Sequence, residues 1–223
     1  MSTNADKVLT SLNGGSDGVL KHILCLSLII LMSFFWTVVP LYTIGYFGLD
    51  ASIFIMLAGE LITAVACYKF YLKKFPEYNF KINRKPVVLK TSAFALGFIL
   101  LLQVVAFIVL HMQGYAEGGG ALTLISIITL IIIVPLYEEI FYRGCALGLM
   151  NIIFKNRIII PVVLSSAFFC LMHTQYNNFI SYVILFLSSI IICFVRIKAN
   201  GLLYPVILHS LMNCMAILLM SFS

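Results

Sequence analysis

Apolar runs of about twenty residues, separated by short charged stretches, constrain this chain more than any other feature. Of its 223 residues, 62% are hydrophobic and 10% charged, whereas a soluble globular domain carries about a quarter charged residues. A water-soluble fold has nowhere to hide that much apolar surface, and the mean hydropathy of +1.10 agrees. Crossing a bilayer core about 30 Å thick takes about 20 apolar residues wound as α-helix. The stretches 22–47, 51–70, 88–112, 121–142, 158–174, 179–195 and 202–220 each read as one crossing. The expectation is an all-α, polytopic transmembrane helix bundle of about seven spans. Residues 1–20 read as a polar cytoplasmic tail, and 21–223 as a single membrane-embedded helical domain.

Basic residues test that count independently. Lys7 and Lys21 precede the first run, and Lys69, Lys73, Lys74, Lys81, Arg84, Lys85 and Lys90 lie between the second and third. Arg143, Lys155 and Arg157 separate the fourth from the fifth, and Arg196 and Lys198 the sixth from the seventh. The connections around Asp50, Glu117 and Asn177, and the C-terminal tail, carry neither Lys nor Arg. Basic and non-basic loops therefore alternate, which by the positive-inside rule places the N-terminus in the cytoplasm and the C-terminus outside. The net charge of +6 is explained by this bias, so no nucleic-acid partner is expected and the lipid bilayer is. The bacterial plasma membrane is the expected location.

Several features read as structural. The first 20 residues lack an apolar core followed by a small-residue cleavage site, so the first span is expected to stay as an anchor. Gly14-Gly15-Ser16-Asp17-Gly18 looks like a Gly-flanked nucleophile, but an intramembrane serine protease needs its serine inside a span. A solvated, disordered tail is the simpler reading. The patch 118–120 reads as a flexible external loop. Cys25, Cys67, Cys145, Cys170, Cys193 and Cys214 form no C-x-x-C pair and read as small hydrophobes. No inverted repeat is visible, which argues against a transporter.

Ionisable groups in hydrocarbon are costly, so each one inside a span is a functional candidate. They cluster late in the chain: Glu138-Glu139 with Arg143 in the fourth run, His173 in the fifth, His209 and Asn213 in the seventh. Glu139 stands four residues before Arg143, on one helix face in the favoured order, and is the expected ion-pair partner. Glu138 is turned about 100° away and is left free of the pair. Gly144 and Gly148 read as a close-packing ridge, and Phe169 as packing. His209 and Asn213, four apart, present a ring nitrogen and an amide to one side. Counting about 1.5 Å per residue from the loops lets Glu138, His173, His209 and Asn213 meet at similar depth. A carboxylate, two imidazoles and an amide suffice for peptide hydrolysis: a base for water, an acid for the leaving amine, donors for the oxyanion. Alternatively, Glu138, His173 and His209 match a catalytic zinc ligand set with an open position; zinc and a metal-independent route stand equally at this point.

At these residues the chain resembles the CPBP family, also called Abi, which includes type II CAAX prenyl proteases and bacterial proteins linked to bacteriocin maturation or self-immunity. The family pattern E-E-x-x-x-R, F-x-x-x-H, H-x-x-x-N is present in order as Glu138-Glu139 to Arg143, Phe169 to His173 and His209 to Asn213, within 130–216. The resemblance implies an intramembrane endopeptidase cutting a membrane-associated peptide or protein, as in CAAX-type or bacteriocin leader processing. It further implies that Glu138 and His173 activate water, that His209 and Asn213 form the oxyanion site, and that Glu139 and Arg143 support them. The family is also commonly called metalloprotease. A non-proteolytic bacteriocin self-immunity or membrane scaffold protein of the same fold is the alternative. A proton-coupled transporter using Glu60, Glu138 and the histidines is a weaker third. Glu60, mid-span in the second run, reads equally as a structural hydrogen bond or a cavity-lining group.

Overall fold

Gly48 alone joins the first two helices, α1 (Gly15–Phe47) and α2 (Leu49–Phe70). Its φ of 78° lies where a Cβ is strained, so a glycine makes this tight reversal possible. The computed structural model describes residues 15–114, 123–155 and 157–222, and they contain no strand. Gly14 of the Gly-flanked serine, Glu117, the 118–120 loop and Asn156 lie outside these residues. Short 3₁₀ turns, Leu72–Lys74 and Pro76–Tyr78, follow α2. Then come α3 (Pro86–Met112), α4 (Leu124–Ile153), α5 (Ile159–Leu171), α6 (Phe179–Ala199) and α7 (Leu203–Met220).

Among the described residues the seven apolar runs become seven helices, six of them long and apolar enough to cross a membrane. The 13 residues of α5 reach about 20 Å, short of the roughly 30 Å hydrocarbon core. Two other boundaries differ from the sequence expectation. Helix α4 does not stop near Tyr142 but runs on through Arg143 to Ile153, and α1 begins at Gly15, inside the expected polar tail.

The long helices are apolar on both faces, as a membrane requires, and differ in which face packs. Along α3, Phe94, Phe98, Leu101, Val105 and Ile108 are exposed at i, i+4, i+7 spacing, the lipid-facing stripe. Val88, Ser92, Ala95 and Ile99 are buried on the other side. Leu24, Leu28 and Leu31 on α1 are 59, 60 and 62% exposed, which no water-facing surface would tolerate in a continuous row. The chain is an integral membrane protein.

The chain divides into two compact units: Met1–Asn79 with Tyr137–Ser165, and Phe80–Leu136 with Ser166–Ser223. In the first unit α1 packs along α2 and against the end of α4. Ser33 and Thr37 of α1 donate to Glu60 Oε1 of α2, each at 3.3 Å, and Trp36 Nε1 donates to Thr63 Oγ1 at 2.8 Å. In hydrocarbon such polar groups must be satisfied between helices. Trp36 lies directly over Gly59, where any Cβ would collide with the indole. Gly148 fulfils the packing role expected of it, since a Cβ there would stand 2.6 Å from the Tyr78 hydroxyl. Buried His22 is held by Tyr71, Nδ1 to hydroxyl 2.6 Å.

In the second unit α3, α6 and α7 enclose a core of Ala95, Ile99, Ile192, Val195, Leu208 and Met212. Polar bridges fasten its edges: Asn83 Nδ2 donates to the Ala199 carbonyl and the Tyr204 hydroxyl to the Asn83 carbonyl. Thr123 caps the start of α4 by accepting from Ser126 N–H, and Asn178 caps α6 by accepting from Ser181 N–H at 2.7 Å. The cysteines are unbridged, with Cys145 and Cys193 buried and Cys214 exposed.

Candidate functional site

Helix α4 is not uniformly α-helical: Thr129–Ile133 and Glu139–Ala146 are wound as π-helix. Such i→i+5 turns are rare and concentrate at functional sites. A turn holding more than four residues stacks side chains four apart almost directly over one another. Glu139 and Arg143 are so placed, with Arg143 Nη1 2.9 Å from Glu139 Oε1 and both side chains buried. The pair sits within a wholly buried segment, Glu139–Ala146, packed on α1 and α2. Ser165 Oγ further donates to the Tyr142 carbonyl.

Glu138, buried at the start of this segment, is not left free as the helical wheel suggested. It lies in electrostatic range of Arg143 and of two further carboxylates, Glu139 and Glu60. The first unit therefore holds Glu138 in electrostatic range of two further buried carboxylates and one guanidinium. Glu60 takes the first of its sequence readings, the structural hydrogen bond: two hydroxyls hold it, and it lies in electrostatic range of Glu138. Its lone position mid-span signalled interest, but nothing in the sequence linked it to Glu138.

The second unit holds the other three candidates. His173 is not inside a helix as expected; α5 ends at Leu171 and His173 follows in the turn. Its Nδ1 stands 2.7 Å from the Phe169 carbonyl. A carbonyl only accepts, so Nδ1 carries the proton and the neutral ring has its lone pair on Nε2. The same bond satisfies one of the carbonyls orphaned at the helix end. Phe169, buried, contacts both imidazoles, with ring centroids 4.2 Å from His173 and 5.9 Å from buried His209. It packs, as its place in the sequence suggests, against both rings. Tyr176 stacks on the other side of His173 at 6.4 Å and 14°.

Asn213 Nδ2 donates to the Leu130 carbonyl at 2.8 Å, joining α7 to the π-wound Thr129–Ile133 stretch. One of its two amide hydrogens is thereby fixed, leaving the second for a ligand. Asn213 also lines a cavity of about 580 Å³ within this unit, formed by α3, the 175–178 turn, α6 and α7. Within neither unit do three His, Cys, Asp or Glu side chains group as a metal-ligand set among the described residues. The zinc set Glu138, His173 and His209 draws on both units, so neither unit by itself supplies it.

Fold and site together define a helical membrane protein with buried carboxylates beside an arginine in one unit and two aromatic-bridged histidines with an anchored asparagine in the other. Residues 120–215 match the family of type II CAAX prenyl endopeptidases, Rce1-like, the kind of membrane endopeptidase the three motifs imply. The chain is also 30% identical over 122 residues to an uncharacterized 24.3 kDa protein of Escherichia coli, a stretch covering 55% of each. It thus spans about half the length of the curated relative it matches. No solved structure matches.

Proposed function

We propose that the protein is an intramembrane endopeptidase that hydrolyses a peptide bond in a membrane-associated peptide or protein. In this reaction the Glu138 carboxylate takes a proton from water as the water oxygen attacks the scissile carbonyl carbon, with His173 orienting that water through Nε2. The resulting oxyanion accepts hydrogen bonds from His209 and Asn213. Collapse breaks the C–N bond, and the proton passes to the leaving amine, giving a carboxylate and an amine. Glu139 holds Arg143, whose charge is the counter-ion for the surrounding carboxylates.

The observation that carries the reading is the Nδ1 bond of His173 to Phe169, because it fixes the one tautomer that presents an acceptor nitrogen to water. The motif order and the family match over 120–215 support it. The test is proteolysis of a peptide library by the purified protein in detergent, with and without chelator. Cleavage that Glu138→Gln abolishes, at unchanged abundance, is the expected result; wild-type turnover in that variant ends the general-base assignment. The chelator arm decides between zinc and metal-free catalysis. Should biological output such as bacteriocin protection survive loss of Glu138, His173 and His209, the immunity or scaffold role replaces the protease.

A further inference from the structure

The cavity of the second unit has a lining chemistry that the proposed reaction does not by itself require. No Asp, Glu, Lys or Arg lines it among the described residues, yet five carboxamides do: Gln103, Gln175, Asn177, Asn178 and Asn213. Three of them are fixed by one hydrogen bond each. Gln103 Nε2 donates to the Met212 carbonyl at 3.0 Å, Asn213 Nδ2 to Leu130, and Asn178 Oδ1 accepts from Ser181. Each bond leaves the far end of its amide wholly open: the oxygens of Gln103 and Asn213 can accept and the nitrogen of Asn178 can donate, while the second amide hydrogen of Asn213 stays with the oxyanion. Gln103 Oε1 is buried without a partner, and so is Oγ of Ser188, which also lines the cavity. Buried polar atoms are rarely left so, since each costs about 1–3 kcal/mol.

We infer that this cavity seats an uncharged peptide segment and holds it through its backbone. Two substrate N–H groups meet Gln103 and Asn213, and one substrate carbonyl meets Asn178. A peptide backbone carries both donors and acceptors and satisfies this set, whereas a prenyl or acyl chain satisfies none of it. A cationic side chain would enter a lining that offers no counter-ion, His111 being its one imidazole. The volume of about 580 Å³ falls within the roughly 300–1,000 Å³ of pockets that enclose small ligands. That the occupant is the substrate rests on the proposed protease reading; that it is a neutral peptide rests on the lining alone. Gln103 lies outside the family-matched residues and becomes a specificity-determining position.

Binding is measured on the full-length Glu138→Gln protein in detergent, by fluorescence anisotropy of a labelled pool of N-acetylated, C-amidated heptapeptides of Ala, Leu, Val, Gly and Ser. Saturable binding is expected, weakened about tenfold by Gln103→Met, at least as much by a central Lys in the peptides, and abolished by Ala216→Phe, which fills the cavity. Thermal unfolding of each variant verifies that it is folded. Absent binding by folded protein overturns the inference, as does displacement by farnesol with Gln103→Met having no effect, which would make the occupant an apolar chain. The two readings fail separately. Peptide binding without any cleavage by the wild type sinks the protease reading alone; cleavage whose KM and peptide Kd ignore Gln103→Met sinks this one alone.

Discussion

Replacing Glu139 by Gln keeps the shape of the side chain and removes its charge, which isolates what the buried ion pair contributes. The two groups are 2.9 Å apart, with side chains 0 and 1% exposed. At an effective dielectric constant of about 20 their gross attraction is about 6 kcal/mol, from 332/(ε·r). Most of that offsets desolvation of the two ions, so the pair adds little net stability, but breaking it strands Arg143 in hydrocarbon. Removing one partner of a buried pair costs about 3–5 kcal/mol. Glu138 lies in electrostatic range of the same arginine and can take up part of its charge, so the expected loss is at the lower end, about 3 kcal/mol. The assay is reversible unfolding in mixed micelles, run as a double-mutant cycle with Arg143→Met. The double variant should be more stable than Glu139→Gln alone, with a coupling of about 2 kcal/mol. If Glu139→Gln costs no more than an exposed charge removal, about 0.5 kcal/mol, the buried cluster does not stabilise this unit and the reasoning fails.

His173→Ala and His209→Ala should each lower the hydrolysis rate by at least about 10². The double variant should be scarcely slower than either, since such groups act as a unit; additive losses would mean that the two rings serve separate steps. Gly59→Ala should destabilise by about 1–3 kcal/mol through overpacking, because Trp36 is tied to Thr63 and cannot yield; adding Trp36→Phe should relieve it, and unchanged unfolding of Gly59→Ala would refute the contact. Reporters fused after Ser223 and near Lys81 test the short α5: opposite sides, as the alternation of basic loops expects, require α5 to cross with the others, and both on one side would leave six crossings and overturn that alternation as an orientation signal.

Helix identity was legible in this sequence because run length and charge punctuation report directly on a bilayer. Helix ends were not. Between Val162 and Thr174 no Gly or Pro marks a stop, and at the end near Leu171 a residue of the motif itself, His173, bonds back to Phe169. The Glu139–Arg143 pair was readable from spacing, but its π winding was not, since nothing in E-I-F-Y-R-G-C-A distinguishes a wide turn from an ordinary one. Phe169 reads as packing in sequence and structure alike, but its contact with His209 joins different chain segments and only the fold shows it. The cavity was invisible for the same reason: Gln103, Asn178 and Asn213 form no local pattern and acquire meaning only when three helices and a turn enclose them.

The wide turn at Glu139–Ala146 makes residue count, as well as residue identity, part of what this stretch encodes. The extra residue that a wide turn holds is absorbed locally, so deleting one residue there would let the segment rewind as ordinary α-helix with the turns on either side still in register, whereas the same deletion in an α-wound stretch swings everything after it by about 100°. Gly148 would keep its place against Tyr78, and what would be lost is the local set of the wide turn that stacks Arg143 on Glu139. A single-residue deletion at Ile140 should therefore break the buried ion pair and spare the helical face that follows, while a deletion in α-wound Leu147–Ile153 should do the reverse.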